Sequence, residues 1–86
     1  MAPEARLAEL IDVVIQPNGV PWRGTLQELE TRLLDDPTYR SRVEKLLSYP
    51  TALKTYMRRL KTARPDLYDS AKVNGRNEWR ISSVPN

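Results

Sequence analysis

The segment KVNGRNEWRI, residues 72–81, constrains the fold of this chain more than any other. Asn74-Gly75 is the strongest short-range indication of a β-hairpin, because both central residues of a type I′ turn need a positive φ angle. After the turn, Trp79 and Ile81 alternate with polar residues, which is the period of a half-buried strand. The sequence therefore predicts a hairpin whose first strand spans about residues 71–74.

Helical periodicity marks four segments before the hairpin. In the second of them, Thr25 and Glu28 form a capping box, in which each side chain accepts a backbone N–H of the other residue. Pro65 ends the last helix, and residues 66–68 are expected to add one helical turn. Residues 20–23 are expected to be extended at most. The four helices should span residues 3–15, 25 to about 36, 38–47 and 51–63.

The fourth predicted helix has one apolar and one basic face. At 100° per residue, Leu53, Met57 and Leu60 share an arc that a core would bury. No acidic residue interrupts residues 51–64, so the i,i+4 Glu–Lys pairs of an ordinary solvated helix are missing. This pattern favours a recognition helix in a DNA major groove, although a merely solvated face remains the alternative. The candidate DNA-binding residues are Thr51, Lys54, Thr55, Arg58, Lys61 and Thr62, with Arg59 at the border.

These elements predict a mostly α-helical α+β fold, a winged helix-turn-helix in which three to four helices precede a C-terminal wing. Eighty-six residues suffice for one domain with a modest core. We expect that core over about residues 3–82 and a frayed tail at residues 83–86. Trp79 and Ile81 should close the core. The other side of the hairpin should present Arg76 and Arg80 beside the cations of the fourth helix, and Lys72 is a further candidate for a DNA contact. Protection of an edge strand by charge is the alternative for these residues.

Positive charge is concentrated in the C-terminal part of the chain. Residues 1–50 carry six cations and eight acids, a net charge of −2, whereas residues 51–86 carry eight cations and three acids, a net charge of +5. Such a distribution favours a polyanionic partner, and ordinary surface solvation accounts for it equally well. If DNA binding neutralises about four to six phosphates, log K should fall with log salt at a slope of about −4 to −5.

Catalytic chemistry has few candidate groups in this sequence. The chain contains neither His nor Cys, so Ser-His-Asp, Cys-His and thiolate metal arrangements are excluded. Asp35 and Asp36 precede Pro37 at a predicted helix end, where turn residues are ordinary. Residues 19–25 have the glycine spacing of a phosphate-binding loop but lack its lysine. We therefore expect a non-catalytic protein without metal or cofactor, and the lack of cysteine and of a long apolar run indicates a cytoplasmic one.

Three segments resemble a known family. VPWRGTLQELETRLL (residues 20–34) resembles the Trp-x-Gly-Thr-x-x-Glu-Leu start of the helix-turn-helix in a winged-helix domain. This domain lies at the C-terminal end of primase-helicase replication proteins of phages and other mobile elements. YPTALKTYMRRLKTARPDL (residues 49–67) is similar to its recognition helix, and GRNEWRIS (residues 75–82) to its closing wing strand. The resemblance implies a domain that docks duplex DNA in replication, without the active sites of the parent protein.

Other functions remain open at this point. The first helix has more apolar surface than one buried face requires, so a protein partner or a homodimer could use it. A winged helix that docks a protein, or a small phage regulator or inhibitor acting alone, would fit the same sequence. Trp22 and Trp79 are expected in the core, although Trp22 could instead stack on a base. The apolar residues of the first helix are Leu7, Leu10, Ile11, Val13, Val14 and Ile15.

Overall fold

The computed structural model of the chain describes residues 1–82, which form four α-helices, one π-helical segment and a three-stranded antiparallel sheet. This architecture confirms the expected α+β class. The predicted tail at residues 83–86 lies outside the described residues. In chain order the elements are α1 (Pro3–Leu10), the π-helical segment (Ile11–Ile15), β1 (Trp22–Gly24), α2 (Leu26–Leu34), α3 (Arg40–Leu46), α4 (Ala52–Ala63), β2 (Tyr68–Val73) and β3 (Arg76–Ile81).

α1 and the π-helical segment form one continuous helix, which confirms the predicted extent of residues 3–15. Its last turn is wider than expected, because the N–H of Gln16 donates to the carbonyl oxygen of Ile11 at 3.0 Å. Ile11 and Ile15, four residues apart on one face of this helix, are both buried.

α2 begins as the capping box predicts. The N–H of Glu28 donates to Thr25 Oγ1 at 3.2 Å, and the N–H of Thr25 donates to Glu28 Oε1 at 2.9 Å. Two backbone donors that the first helical turn leaves free are thereby satisfied. Leu29 and Leu33, on the opposite side of α2, are fully buried.

β1 is a strand where the sequence predicted no more than an extended segment. It pairs antiparallel with β3, so that Trp22 lies opposite Ile81 and Gly24 opposite Trp79. The order β1-β3-β2 places β3 in the middle of the sheet. Three residues after Pro21 are too few to show a period of two, so only the pairing with β3 defines this strand.

The hairpin has the predicted turn but a longer first strand. Asn74 and Gly75 have φ angles of 52° and 78°, both positive as a type I′ turn requires. β2 begins at Tyr68, which pairs with Ile81. The turn predicted at residues 66–68 lies one residue earlier, at residues 65–67, where the N–H of Tyr68 donates to the carbonyl oxygen of Arg64 at 3.0 Å and Leu67 is buried. Tyr68 itself is already a strand residue.

The core receives one apolar side from each helix and from the sheet. Trp79 and Ile81 close it as predicted, and Trp22 is half-buried against it. No polar or charged residue is buried among residues 1–82. The polar side of α4 thus remains on the surface.

No helix among residues 1–82 is long and apolar enough to cross a membrane.

Candidate nucleic-acid interface

α4 buries its apolar side and leaves a row of cations exposed. Lys54, Arg58 and Lys61 follow one another at i, i+4 and i+7, so they lie along one side of the helix. We call these three residues the α4 stripe. Lys54 and Arg58 are exposed, and neither has an ion pair within residues 1–82. The helix carries no acidic residue that could neutralise them.

Lys61 connects the α4 stripe to the hairpin. Its Nζ donates to Ser70 Oγ at 3.0 Å and lies 3.5 Å from Asp69 Oδ1, both on β2. Lys72 follows Ser70 by two residues and therefore projects from the same face of the strand. It is exposed and has no ion pair within the described residues. The structure thus places one hairpin cation on the side of the sheet that carries the Lys61 contact.

The three predicted threonines of this region accompany the α4 stripe. Thr62 is exposed, and its Oγ1 donates to the carbonyl oxygen of Arg58 at 3.0 Å. Thr55 is half-buried. Thr51 is exposed just before α4 and does not cap the helix with its side chain. Their hydroxyl groups border the cations and could accept or donate hydrogen bonds at the same surface.

Arg59 lies apart from the α4 stripe. Its Nη1 is 3.4 Å from Glu4 Oε2 on α1, and its guanidinium group stands 5.7 Å from the ring centroid of Tyr56. On the helix it projects about 100° from Arg58, towards α1. Arg59 therefore stabilises the contact between α1 and α4, and the prediction that it binds DNA stays a prediction.

Arg76 and Arg80 lie on the other face of the sheet. They alternate along β3 with Trp79 and Ile81, whose side chains enter the core, so their own side chains start from the opposite face. Lys61 donates to Ser70, which pairs with Trp79 on the core-facing side. Of the residues on the other face it approaches only Asp69, the partner of Arg80, among the ion pairs of residues 1–82. The prediction that Arg76 and Arg80 lie beside the cations of α4 is therefore wrong, because the register of β3 places their side chains on the face that points away from the core.

Acidic residues accompany both arginines. Arg76 Nη2 lies 3.5 Å from Glu28 Oε1, which belongs to the first turn of α2. Glu78 is shared, because its Oε1 lies 3.1 Å from Arg23 Nε and 3.7 Å from Arg80 Nε. The arginines and Glu28 are largely exposed and Glu78 is half-buried, so these pairs are partly screened by water and contribute little to stability. They nevertheless neutralise these cations in part, which distinguishes them from Lys54 and Arg58.

A further group of cations surrounds a groove that sequence analysis did not single out. Arg6 projects from α1 into this groove, and Arg42 and Lys45 project from α3. Acidic neighbours such as Glu9 and Glu44 alternate with these cations in the sequence, so net charge along the chain does not reveal them. Among residues 1–82, no three acidic side chains are grouped so that they could hold a metal ion.

Fold and surface together define a small α+β domain with an exposed basic helix braced against a β-hairpin. No protein-family model matches the chain, and no curated protein or solved structure is significantly similar to it. Function must consequently be argued from the surface itself, because a fold class alone supports many functions.

Proposed function

We propose that the chain is a non-catalytic winged-helix domain that binds duplex DNA in the cytoplasm, with α4 as the helix that enters the major groove. The order of elements supports this proposal. α2, α3 and α4 follow the short strand β1, and a hairpin that pairs with β1 follows α4. This is the succession of helices, strands and wing found in winged helices. The resemblance of three sequence segments to mobile-element primase-helicases suggests a role in DNA replication.

One observation carries the proposal: the α4 stripe offers an exposed row of cations on a helix without acids. Phosphate contacts supply most of the affinity of non-specific DNA binding, and free cations contribute most to them. Lys54 and Arg58 can approach phosphates without breaking an ion pair within the described residues. Arg58 can also donate two hydrogen bonds to a guanine edge or to a phosphate. Lys72 adds a contact from the wing.

Burial of the nearby aromatic residues favours a duplex over a single strand. Proteins that bind single strands stack bases on exposed aromatic side chains beside a basic groove. Tyr56 and Trp79 are buried in the core, and Trp22 is half-buried. Tyr49 is 42% exposed, but it packs edge-on against Tyr56, on the side of α4 away from the α4 stripe. The α4 stripe therefore offers charge without a stacking platform, which suits the phosphates and the groove edges of a duplex.

The test is a salt series of fluorescence anisotropy titrations with a labelled duplex of about 20 base pairs. Replacing Lys54 and Arg58 together by alanine should weaken binding about tenfold at low salt and flatten the plot of log K against log salt by about 2. The matched control replaces Lys45 and Arg32 by alanine, because both are exposed and neither has an ion pair within residues 1–82. It removes the same charge from α3 and α2, and it should change the slope by much less.

Two results would overturn this proposal. The first is an absence of duplex binding by the wild-type chain at low salt. The second is an equal loss of slope in the two double variants, because DNA would then respond to total charge and not to the α4 stripe. If the chain binds a single strand of the same length more tightly, the duplex is not its preferred ligand, and only the proposal of a nucleic-acid partner would stand.

A further inference from the structure

A groove of about 960 Å³ lies between the first helix and α3. Leu10, Leu46 and Tyr39 supply apolar surface in it. Tyr56 also lines it, and this residue lies on the side of α4 opposite to the α4 stripe. The groove is therefore a separate surface, and DNA bound to the stripe would leave it open.

The first helix presents a face in this groove with the spacing of a helix–helix seam. Pro3, Arg6, Leu10 and Val13 follow one another at intervals of three, four and three residues, and all line the groove. Val13 is 45% exposed, although it is apolar and lies within the π-helical segment. A partner helix packed along this face would remove the Val13 side chain from water.

The charges of this face have no partners within residues 1–82. Arg6 and Glu9 are both exposed, and neither forms an ion pair there. Asp12 lines the groove beside Glu9, and partial burial together with the Glu9 carboxylate raises the pKa of its carboxyl group. The face thus combines apolar surface with uncompensated charges of both signs.

We propose that a second copy of this chain occupies the groove, its first helix packing antiparallel against the first helix of the other copy. A two-fold axis brings the same patch of both copies together. With the axis between residues 7 and 8, Arg6 of each copy faces Glu9 of the other, and Val13 of each lies against Ala2, next to Pro3, of the other. One symmetric contact therefore pairs both charges and covers the exposed valine.

Charge complementarity selects a second copy as the occupant. Arg6 and Glu9 lie three residues apart on one helical face, so reversing the helix direction places opposite charges together in two equivalent pairs. The lysine and arginine of the α3 wall, Lys45 and Arg42, attract the same acidic helix. The shared face spans only about three helical turns, so the dimer should be weak, with a micromolar dissociation constant.

Sedimentation equilibrium of the 86-residue chain from about 10 to 300 μM tests the proposal. The wild type should show a reversible monomer–dimer equilibrium. Arg6→Glu and Glu9→Arg should each weaken the dimer about tenfold or more, because each homodimer then has two like-charge contacts. An equimolar mixture of the two variants should associate again, since both ion pairs form between unlike chains. Such a rescue is expected only if residue 6 of one copy contacts residue 9 of the other.

Val13→Asp provides a second test, and Val20→Asp is its matched control. Val20 is 63% exposed and does not line the groove, so the same new charge there should leave the dimer intact. Circular dichroism would verify that each variant is folded. A wild type that stays monomeric throughout, or a variant mixture that does not associate, would overturn the proposal. A monomer that still binds duplex DNA would reject the dimer and leave the proposed function standing.

Discussion

Lys61 Nζ lies 3.0 Å from Ser70 Oγ, and this contact joins the exposed basic helix directly to the β-hairpin. Because Asp69 Oδ1 lies only 3.5 Å away as well, one of the three cations of the α4 stripe is already partly neutralised. Lys54 and Arg58 have no such partners in the described part of the chain. Lys61 therefore positions the helix against β2, and the other two cations remain for an external anion.

Ser70→Ala tests whether the contact between Lys61 and Ser70 positions α4 against the hairpin without contributing to DNA binding. Removal of the hydroxyl should lower the free energy of unfolding by about 0.5 to 1 kcal/mol, because a part-exposed hydrogen bond to a charged group is lost. The slope of log K against log salt should stay unchanged, whereas Arg58→Ala should flatten it by about 0.9. Urea denaturation and duplex titration give the two readouts. Ser41→Ala on the exposed side of α3 is the control, and an equal loss of stability there would contradict the positioning role.

Glu78→Gln tests whether the ion pairs with Glu78 reduce the contribution of Arg80 and Arg23 to DNA binding. Without its charge, Arg80 and Arg23 lose their shared partner and become available to phosphates. Duplex binding at low salt should tighten about two- to tenfold, and adding Arg80→Ala should reverse the gain. Glu30→Gln removes the same charge from an exposed site on α2 that has no ion pair in the described residues. If both glutamine variants bind equally well, net charge alone explains the effect.

The capping box predicts both a stability loss and a pH dependence. Thr25→Ala should lower the free energy of unfolding by about 1 kcal/mol at neutral pH, while Thr31→Ala in the middle of α2 should be nearly neutral. The backbone N–H of Thr25, followed by its hydroxyl contact, lowers the pKa of Glu28 in the folded state.

A lowered pKa in the folded state means that the ionised carboxylate stabilises the fold above the unfolded-state value of about 4.3 and loses this effect as the pH falls through the folded value. Glu28→Gln keeps a capping side chain but cannot titrate. Its free energy of unfolding, measured by urea denaturation, should therefore fall less than that of the wild type below about pH 5. Parallel curves for the two proteins would contradict the role of Glu28.

Gly24→Ala should be destabilising although alanine is the better strand residue. A Cβ atom at this position would lie 2.6 and 2.7 Å from Cη2 and Cζ2 of Trp22, so the indole ring must move. We expect a loss of about 1 to 3 kcal/mol in the free energy of unfolding. In a Trp22→Ala background the same change should cost almost nothing, because the ring that collides is absent. Additive losses in this double-mutant cycle would contradict the close contact.

Much of the local structure could be predicted because it depends on neighbours in the sequence. Thr25 and Glu28 lie three residues apart, so the capping box needs only hydrogen bonds within one helical turn. Asn74 and Gly75 accept positive φ angles, which few other residue pairs do. The periodicity of α4 likewise shows in advance which side a core must bury, since the geometry of a helix is constant.

The strands and the faces of the sheet depend on pairing between residues that are far apart in the sequence. β1 is a strand only because β3 lies beside it, and β2 begins at Tyr68 because this residue pairs with Ile81 of β3. The register of β3 determines that Arg76 and Arg80 lie on the face opposite to Lys72, which no charge count reveals. The sequence alone therefore determined the capped start of α2, the hairpin turn and the two faces of α4, whereas α3, which lacks a side-chain cap, begins at Arg40 and not at residue 38. Only the packed sheet decided which cations share a surface, because that depends on contacts between residues far apart in the chain.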